Sequence, residues 1–166
     1  MRFISRLLVA FTLVLFASIA SAEDVGLRDF DGESKSLDDY LGQGQWTVVQ
    51  VWSHSCHICN QEAPALQAFG ERMEDSDLAR VVGVSMDGEE GILDAEHFVE
   101  KYGFKHTNLI AEPMGAALMV AKRARMRFVG TPTYLLFDRK GTFRVGQAGG
   151  VPMHVIEKYM REHDEG

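Results

Sequence analysis

Two cysteines, Cys56 and Cys59, are the residues of this 166-residue chain whose type and spacing are best suited to chemistry. They are its only cysteines, they are separated by His57 and Ile58, and they stand where a hydrophobic strand gives way to a helix. The start of a helix presents unpaired N–H groups and the positive end of the helix dipole, which favour a thiolate on Cys56. Because the thiolate is the species that attacks disulfides, the spacing and the location predict redox chemistry.

Two other roles for the cysteine pair remain open. The first is metal binding: with His54 or His57 nearby, and Met153 and His154 elsewhere, the pair offers ligand types that suit Cu(I). A zinc site needs four ligands, and no second Cys/His pair at a suitable spacing occurs in the sequence. The second is a structural disulfide, but a bridge that encloses so short a loop constrains the unfolded chain only weakly. We therefore expect redox exchange without a cofactor or a bound metal, with copper delivery as the alternative.

The first 22 residues have the layout of a secretory signal peptide. Arg2 and Arg6 form a short basic head, residues 7–19 are almost entirely apolar, and residues 20–22 are small. The apolar run has 13 residues, whereas a transmembrane helix needs roughly 20. We expect export with cleavage, which leaves residues 23–166 as one domain, and an uncleaved anchor is the less favoured alternative. The periplasm of a Gram-negative bacterium is the compartment that fits best.

The mature domain is strongly acidic. The whole chain has a formal net charge of −7, and residues 1–22 contain two arginines and no acidic residue, so the remainder carries −9. A domain of this charge is poorly suited to nucleic acid or to anionic lipid. The four basic residues within 122–127 are expected to form a solvated helix face rather than a docking patch for an acidic partner.

Strand-like and helix-like segments alternate along residues 23–166. We predict strands at 46–52, 80–85, 108–110, 133–137 and 142–145, helices at 56–73, 92–102, 115–125 and 152–163, and a short hairpin followed by a helical turn within 26–41. Pro64 is expected to kink the first helix, because it lacks a backbone donor. Alternating strands and helices that finish in a hairpin predict an α/β fold, with a mixed sheet and helices on both faces.

Several motifs in this order resemble one family. They are the segment 27–44, the strand that ends in Trp52, the Cys56–Cys59 pair, Pro64 in the following helix, and Thr131-Pro132 between Gly130 and Thr133. Together they are similar to the periplasmic thiol–disulfide oxidoreductases of the TlpA, ResA and DsbE type. The resemblance covers nearly the whole mature chain. It implies a thioredoxin-like fold, a central mixed β-sheet flanked by helices, with an N-terminal β-hairpin extension.

The resemblance also implies roles for individual residues. Cys56 corresponds to the attacking cysteine, with a thiol pKa depressed from about 8.5 towards roughly 3.5–7.5. Cys59 corresponds to the more buried resolving cysteine, and the two would form the redox-active disulfide. Pro132 matches the cis-proline that faces the pair, and the Thr131-Pro132 loop would present backbone groups to an extended partner peptide.

Gln50 and Trp52 are expected to support the site from the preceding strand. Gln50 stands where cytoplasmic thioredoxins have a buried acid and where TlpA-like proteins tend to have an amide. Since an amide cannot take up a proton as a carboxylate does, removal of the proton from Cys59 needs another group or water. Glu112 is one candidate acid, although a surface position is the more ordinary expectation for it.

The sequence departs from the family beside the first cysteine. The family usually has tryptophan directly before it, whereas this chain has Ser55, which together with His54 makes the rim more polar. A protonated His57 beside Cys56 would stabilise the thiolate and make the disulfide more oxidising, and a solvent-exposed His57 with little coupling is the alternative. The resemblance favours reduction of partner disulfides, while His57 acts in the opposite direction.

The predicted function is exchange of a disulfide or dithiol with cysteine-containing periplasmic proteins, such as apocytochrome c. The protein would act as a monomer and as a reductant, and it would be recharged by a membrane thiol–disulfide donor. Copper-delivery proteins of this fold usually separate their cysteines by three residues, which weighs against the copper alternative. A peroxidase of this fold would place a lone cysteine after a Pro-x-x-x-Thr loop, and the strand–helix junction lacks one.

Overall fold

The computed structural model describes residues 26–164. Its elements are a 3₁₀ turn Leu37–Asp39, β1 Trp46–Trp52, α1 His57–Asp75, β2 Ala79–Ser85, α2 Ile92–Tyr102, β3 Thr107–Ile110, α3 Pro113–Ala124, β4 Thr133–Phe137, β5 Phe143–Ala148 and α4 Met153–Glu162. The signal segment predicted for residues 1–22 lies outside the described residues. Within 26–164, no helix is both long and apolar enough to span a bilayer.

The five strands form one mixed sheet in the order β3-β2-β1-β4-β5. β1 pairs in parallel with β2, and β2 in parallel with β3, each after a helical crossover. β4 runs antiparallel to both β1 and β5. β1 is buried along its whole length, because it lies at the centre of the sheet and is covered on both faces. The predicted α/β architecture is confirmed.

Alternation along β1 assigns its side chains to two different cores. Val49 and Val51 pack in the same cluster as the buried face of α3. Trp46 and Val48 pack with the buried residues of α1 and α4 on the opposite face. Trp52 continues this second face towards α2. Since side chains alternate with period two, Gln50 also projects towards α1, and this places it under the cysteine helix.

The structure modifies several predicted boundaries. α1 extends to Asp75 and includes Pro64, α3 begins two residues earlier at Pro113, and β5 extends to Ala148. Pro113 occupies the first helical position, where its missing N–H costs nothing. The predicted N-terminal hairpin is reduced to an antiparallel bridge between Arg28 and Ser34, and Arg28 forms a second bridge with Ile110 at the end of β3.

His106 is half-buried, and its ring makes the free energy of unfolding depend on pH. Neither of its ring nitrogens has a partner among the described residues, and the ring lies against Phe104 at 4.5 Å between centroids. Burial lowers the pKa of His106 from 6.5 to about 4. The unfolded chain therefore takes up this proton first, so the stability contributed by neutral His106 is complete above pH 6.5 and is lost as the pH falls towards 4.

We expect His106→Phe to remove this part of the acid sensitivity, because phenylalanine keeps the ring contact and cannot be protonated. Between neutral pH and the low pKa, the wild type should lose about 3 kcal/mol more unfolding free energy than the variant. Urea denaturation at a series of pH values measures the difference. Parallel pH dependences in the two proteins would contradict the assignment.

Candidate active site

The cysteine pair lies at the start of α1, directly after β1 and a three-residue turn. Cys56 is the N-cap residue and Cys59 belongs to the first turn of the helix. The two form a disulfide with their Cα atoms 5.2 Å apart. Cys59 is 1% exposed, whereas Cys56 is partly exposed. A visiting molecule can therefore reach the first sulfur, while the second is covered by protein.

The helix start favours negative charge on Cys56. The backbone N–H of Cys59 donates a hydrogen bond to Sγ of Cys56 at 3.1 Å, as the side chain of an N-cap residue accepts one. No acidic residue occupies the first turn of α1. Once the disulfide is reduced, this donor and the helix dipole both stabilise a Cys56 thiolate.

Trp52 lies in the apolar layer that surrounds Cys59. It is fully buried and stacks on Phe98 of α2, with ring centroids 4.5 Å apart and planes 23° apart. Phe98 in turn contacts Tyr102 edge to face at 4.8 Å. Trp52, Phe98 and Cys59 belong to the same packed cluster. This aromatic layer excludes water from the second sulfur.

A chain of hydrogen bonds connects β1, β4 and α1 below the pair. Gln50 is 2% exposed, and its Nε2 donates to Oη of Tyr134 at 2.8 Å. The Tyr134 hydroxyl donates to Oε2 of Glu62, also at 2.8 Å. Burial is the main cause that raises the pKa of Tyr134, and the charge of the neighbouring Glu62 is the second, so the hydroxyl remains protonated. Glu62 follows Cys59 by three helical positions, and residues at this spacing are neighbours on a helix surface.

The loop of Thr131 and Pro132 meets the end of β1. The Thr131–Pro132 peptide bond is cis, and Pro132 is buried. Thr133 is paired with Val51, so antiparallel register brings the preceding Pro132 opposite the end of β1. The carbonyl of Pro132 accepts the N–H of Gly149 at 2.8 Å. The loop therefore lies next to the strand that delivers the cysteine pair.

Other residues singled out in the sequence lie elsewhere or face solvent. Glu112 is exposed, accepts the backbone N–H of Glu89 at 2.9 Å, and lies 3.9 Å from Arg28, so it does not join the hydrogen-bond chain beneath the cysteines. His57 is exposed. In the basic cluster, Arg123 is engaged by Asp38. Within residues 26–164, no group of three or more His, Cys, Asp or Glu side chains is arranged to hold a metal ion.

Three residues of the site, Glu62, Asp87 and Asn60, were not predicted from the sequence. Glu62 could have been found from its spacing to Cys59 on the predicted helix. Asp87 reaches the turn before Cys56 from the end of β2, so only the parallel pairing of β1 and β2 reveals it. Asn60 lies on α1 and bonds back to the same turn.

The protein has a five-stranded mixed sheet with helices on both faces, and a CxxC disulfide at the first helix after the central strand. This combination defines a thioredoxin-like thiol–disulfide oxidoreductase. The chain belongs to the AhpC/TSA family, whose model matches residues 20–145. It is 30% identical to the thiol-disulfide oxidoreductase YkuV of Bacillus subtilis over 112 residues, which cover 68% of this chain and 72% of that protein. The protein is accordingly a thiol–disulfide oxidoreductase.

Solved structures share the fold. The thioredoxin domain of a thiol-disulfide oxidoreductase from Bacteroides vulgatus superposes with a TM-score of 0.64 at 23% identity, over 80% of this chain and 90% of that one. A secreted disulfide oxidoreductase of Mycobacterium tuberculosis, described as homologous to E. coli DsbE, gives 0.64 at 18% identity over 86% and 99%. These matches confirm the predicted thioredoxin-like architecture.

Proposed function

We propose that Cys56 attacks partner disulfides and that Cys59 completes the exchange. The Cys56 thiolate attacks one sulfur of the partner disulfide, that bond breaks, and the departing partner thiolate takes up a proton. Cys59 then loses its proton and attacks Sγ of Cys56, which releases the second partner thiolate. The partner gains two electrons and becomes a dithiol, while Cys56 and Cys59 become the disulfide.

The difference in exposure between the two sulfurs is the observation that carries this assignment. Cys56 is partly exposed and accepts the N–H of Cys59, whereas Cys59 is 1% exposed. A buried thiol cannot meet a protein-sized partner, but it can reach the neighbouring sulfur in the same helical turn. This difference supports the proposed order of attack, with Cys56 first and Cys59 second.

We propose further that Glu62 accepts the proton of Cys59 during the second step. Nε2 of Gln50 donates to the Tyr134 hydroxyl, so the hydroxyl's own proton is directed at Glu62. Glu62 is therefore a half-buried carboxylate one helical turn from Cys59. The neighbouring strand β1 supplies only the amide of Gln50, which cannot take up a proton as a carboxylate does. Glu62 takes the role for which Glu112 was considered.

The cellular role that we propose is reductive and periplasmic. Residues 1–22 have the pattern of an export signal, and the resemblance to TlpA, ResA and DsbE favours reduction of disulfides in cysteine-containing proteins such as apocytochrome c. The active disulfide would be reduced again by a membrane thiol–disulfide donor. The protein would work as a monomer.

The reduction potential of the Cys56–Cys59 pair, measured together with insulin reduction, tests this role. We expect the reduced protein to precipitate insulin and its potential to lie near that of thioredoxin, about −270 mV. A potential near about −120 mV would indicate an oxidant instead. Stoichiometric retention of Cu(I) without disulfide exchange would favour the copper alternative.

A further inference from the structure

We propose that Asp87 is a positioning residue for disulfide exchange, which holds the turn of residues 53–55 so that Cys56 is presented correctly at the start of α1. The inference rests on the proposed role of Cys56 as the attacking cysteine. Asp87 follows β2 by two residues, and β2 pairs in parallel with β1 up to the Trp52–Ser85 pair. Because parallel strands end at the same edge of the sheet, Asp87 lies beside the turn.

The Asp87 carboxylate accepts hydrogen bonds from Ser53 and His54 of this turn and from Ser85 at the end of β2. Its side chain is 6% exposed. One carboxylate oxygen accepts the backbone N–H of His54 at 2.9 Å and the hydroxyl of Ser85 at 2.7 Å. The other accepts the hydroxyl of Ser53 at 2.5 Å and lies 3.0 Å from Nδ1 of His54. A buried carboxylate is costly unless it receives such bonds, so these contacts define one arrangement of the turn.

Asn60 binds the same turn through other backbone groups. Its Nδ2 donates to the carbonyl oxygens of His54 at 2.9 Å and Cys56 at 3.0 Å. Its Oδ1 accepts the hydroxyl of Tyr102 from α2 at 2.9 Å. The peptide groups of His54 are therefore held at the N–H by Asp87 and at the carbonyl by Asn60. The backbone that leads into the nucleophile is bound by side chains of two other segments.

Holding this turn matters because exchange requires the attacking sulfur to approach along the axis of the partner S–S bond. Without Asp87, the N–H of His54 loses its acceptor and the orientation of Cys56 broadens, which slows attack by a given thiolate. The buried negative charge also disappears, and this change favours the thiolate. The first effect lowers the limiting rate at high pH, and the second moves the pH–rate profile to lower pH, so the two effects can be measured separately.

The test is the rate constant for attack of reduced protein on a small aromatic disulfide, measured across the pH range in which the thiol titrates. We expect Asp87→Ala to lower the limiting rate at high pH on the order of tenfold, because a misaligned reacting group reacts more slowly. Asn60→Ala should lower it in the same direction. Asp138→Asn is the matched control, because Asp138 is also buried and accepts the N–H groups of Lys140 and Thr142 in the β4–β5 turn. This control should lower the melting temperature without changing the limiting rate.

A limiting rate for Asp87→Ala within about twofold of wild type, the scale of an ordinary surface substitution, would overturn the proposal. An equal loss in Asp138→Asn would overturn it as well, because the effect would then reflect general destabilisation. If Asp87→Ala does not fold, Asn60→Ala and Ser53→Ala provide the test, and unchanged rates in both would contradict it. Activity that survives in Cys56→Ser would refute the attacking role of Cys56 itself, so failure of the proposed function can be distinguished from failure of this inference.

Discussion

Cys56→Ser is expected to lower disulfide reduction by at least about 10³-fold, the scale on which removal of a nucleophile acts. A serine hydroxyl has no accessible anion at neutral pH and forms no disulfide, so neither exchange nor storage of two electrons is possible. Because Cys56 is partly exposed and caps α1 through its side chain, serine can accept the same N–H of Cys59. Insulin reduction with a chemical reductant as electron source measures the loss, and circular dichroism verifies the fold.

Cys59→Ser is the matched variant, and it should behave differently. The thiolate of Cys56 still attacks, but nothing resolves the product, so a mixed disulfide with the partner accumulates. Mass spectrometry under non-reducing conditions detects it. Accumulation of the same adduct in Cys56→Ser instead would reverse the order of attack, in contradiction to the burial of Cys59.

Glu62→Gln is expected to slow the resolution step on the order of 10²-fold at neutral pH, the contribution typical of a positioned general base. The substitution keeps the size of the side chain and removes its ability to take the proton of Cys59. The loss should shrink as the pH rises, because Cys59 then ionises without assistance. Stopped-flow measurement of partner release from a preformed mixed disulfide isolates this step.

Glu71→Gln is the control for Glu62→Gln. It makes the same chemical change on the same helix, at a side chain that is partly exposed and pairs with Lys105. Resolution should be unaffected there. Tyr134→Phe removes the hydroxyl that donates a hydrogen bond to Glu62. This variant should change the pH dependence of the resolution step, while the rate of attack by Cys56 stays at the wild-type value. If Glu62→Gln resolves mixed disulfides at the wild-type rate at every pH, the proton passes to another group or to water.

Most of the secondary structure could be predicted from local patterns. Helix Ile92–Tyr102 and strand Thr133–Phe137 appear at their predicted bounds, because an amphipathic stripe that ends at glycine and a run of β-branched and aromatic residues are both local signals. The N-terminal hairpin was predicted less well. It is held by bridges from Arg28 to Ser34 and to Ile110, and the second of these depends on where β3 lies in the sheet.

Some residues of the candidate site could likewise be predicted from the sequence, and others were found only in the structure. Cys56, Cys59 and their spacing are visible in the sequence, since CxxC at a strand–helix junction is a local motif that carries its own chemistry. Glu62, Asp87 and Asn60 were not predicted. Their importance follows from hydrogen bonds to Tyr134, to the N–H of His54 and to the carbonyl of His54, and no local pattern encodes these contacts.

The sequence by itself determined the CxxC pair, the alternation of strands and helices, and the acidic character of the domain, because each depends on residue type and on spacing along the chain. Only the tertiary structure showed which carboxylate accepts the hydroxyl of Tyr134 and what holds the turn before Cys56. The physical reason is that burial and hydrogen bonding depend on strand register and helix packing. These bring together residues as distant in sequence as Gln50 and Tyr134, or His54 and Asp87.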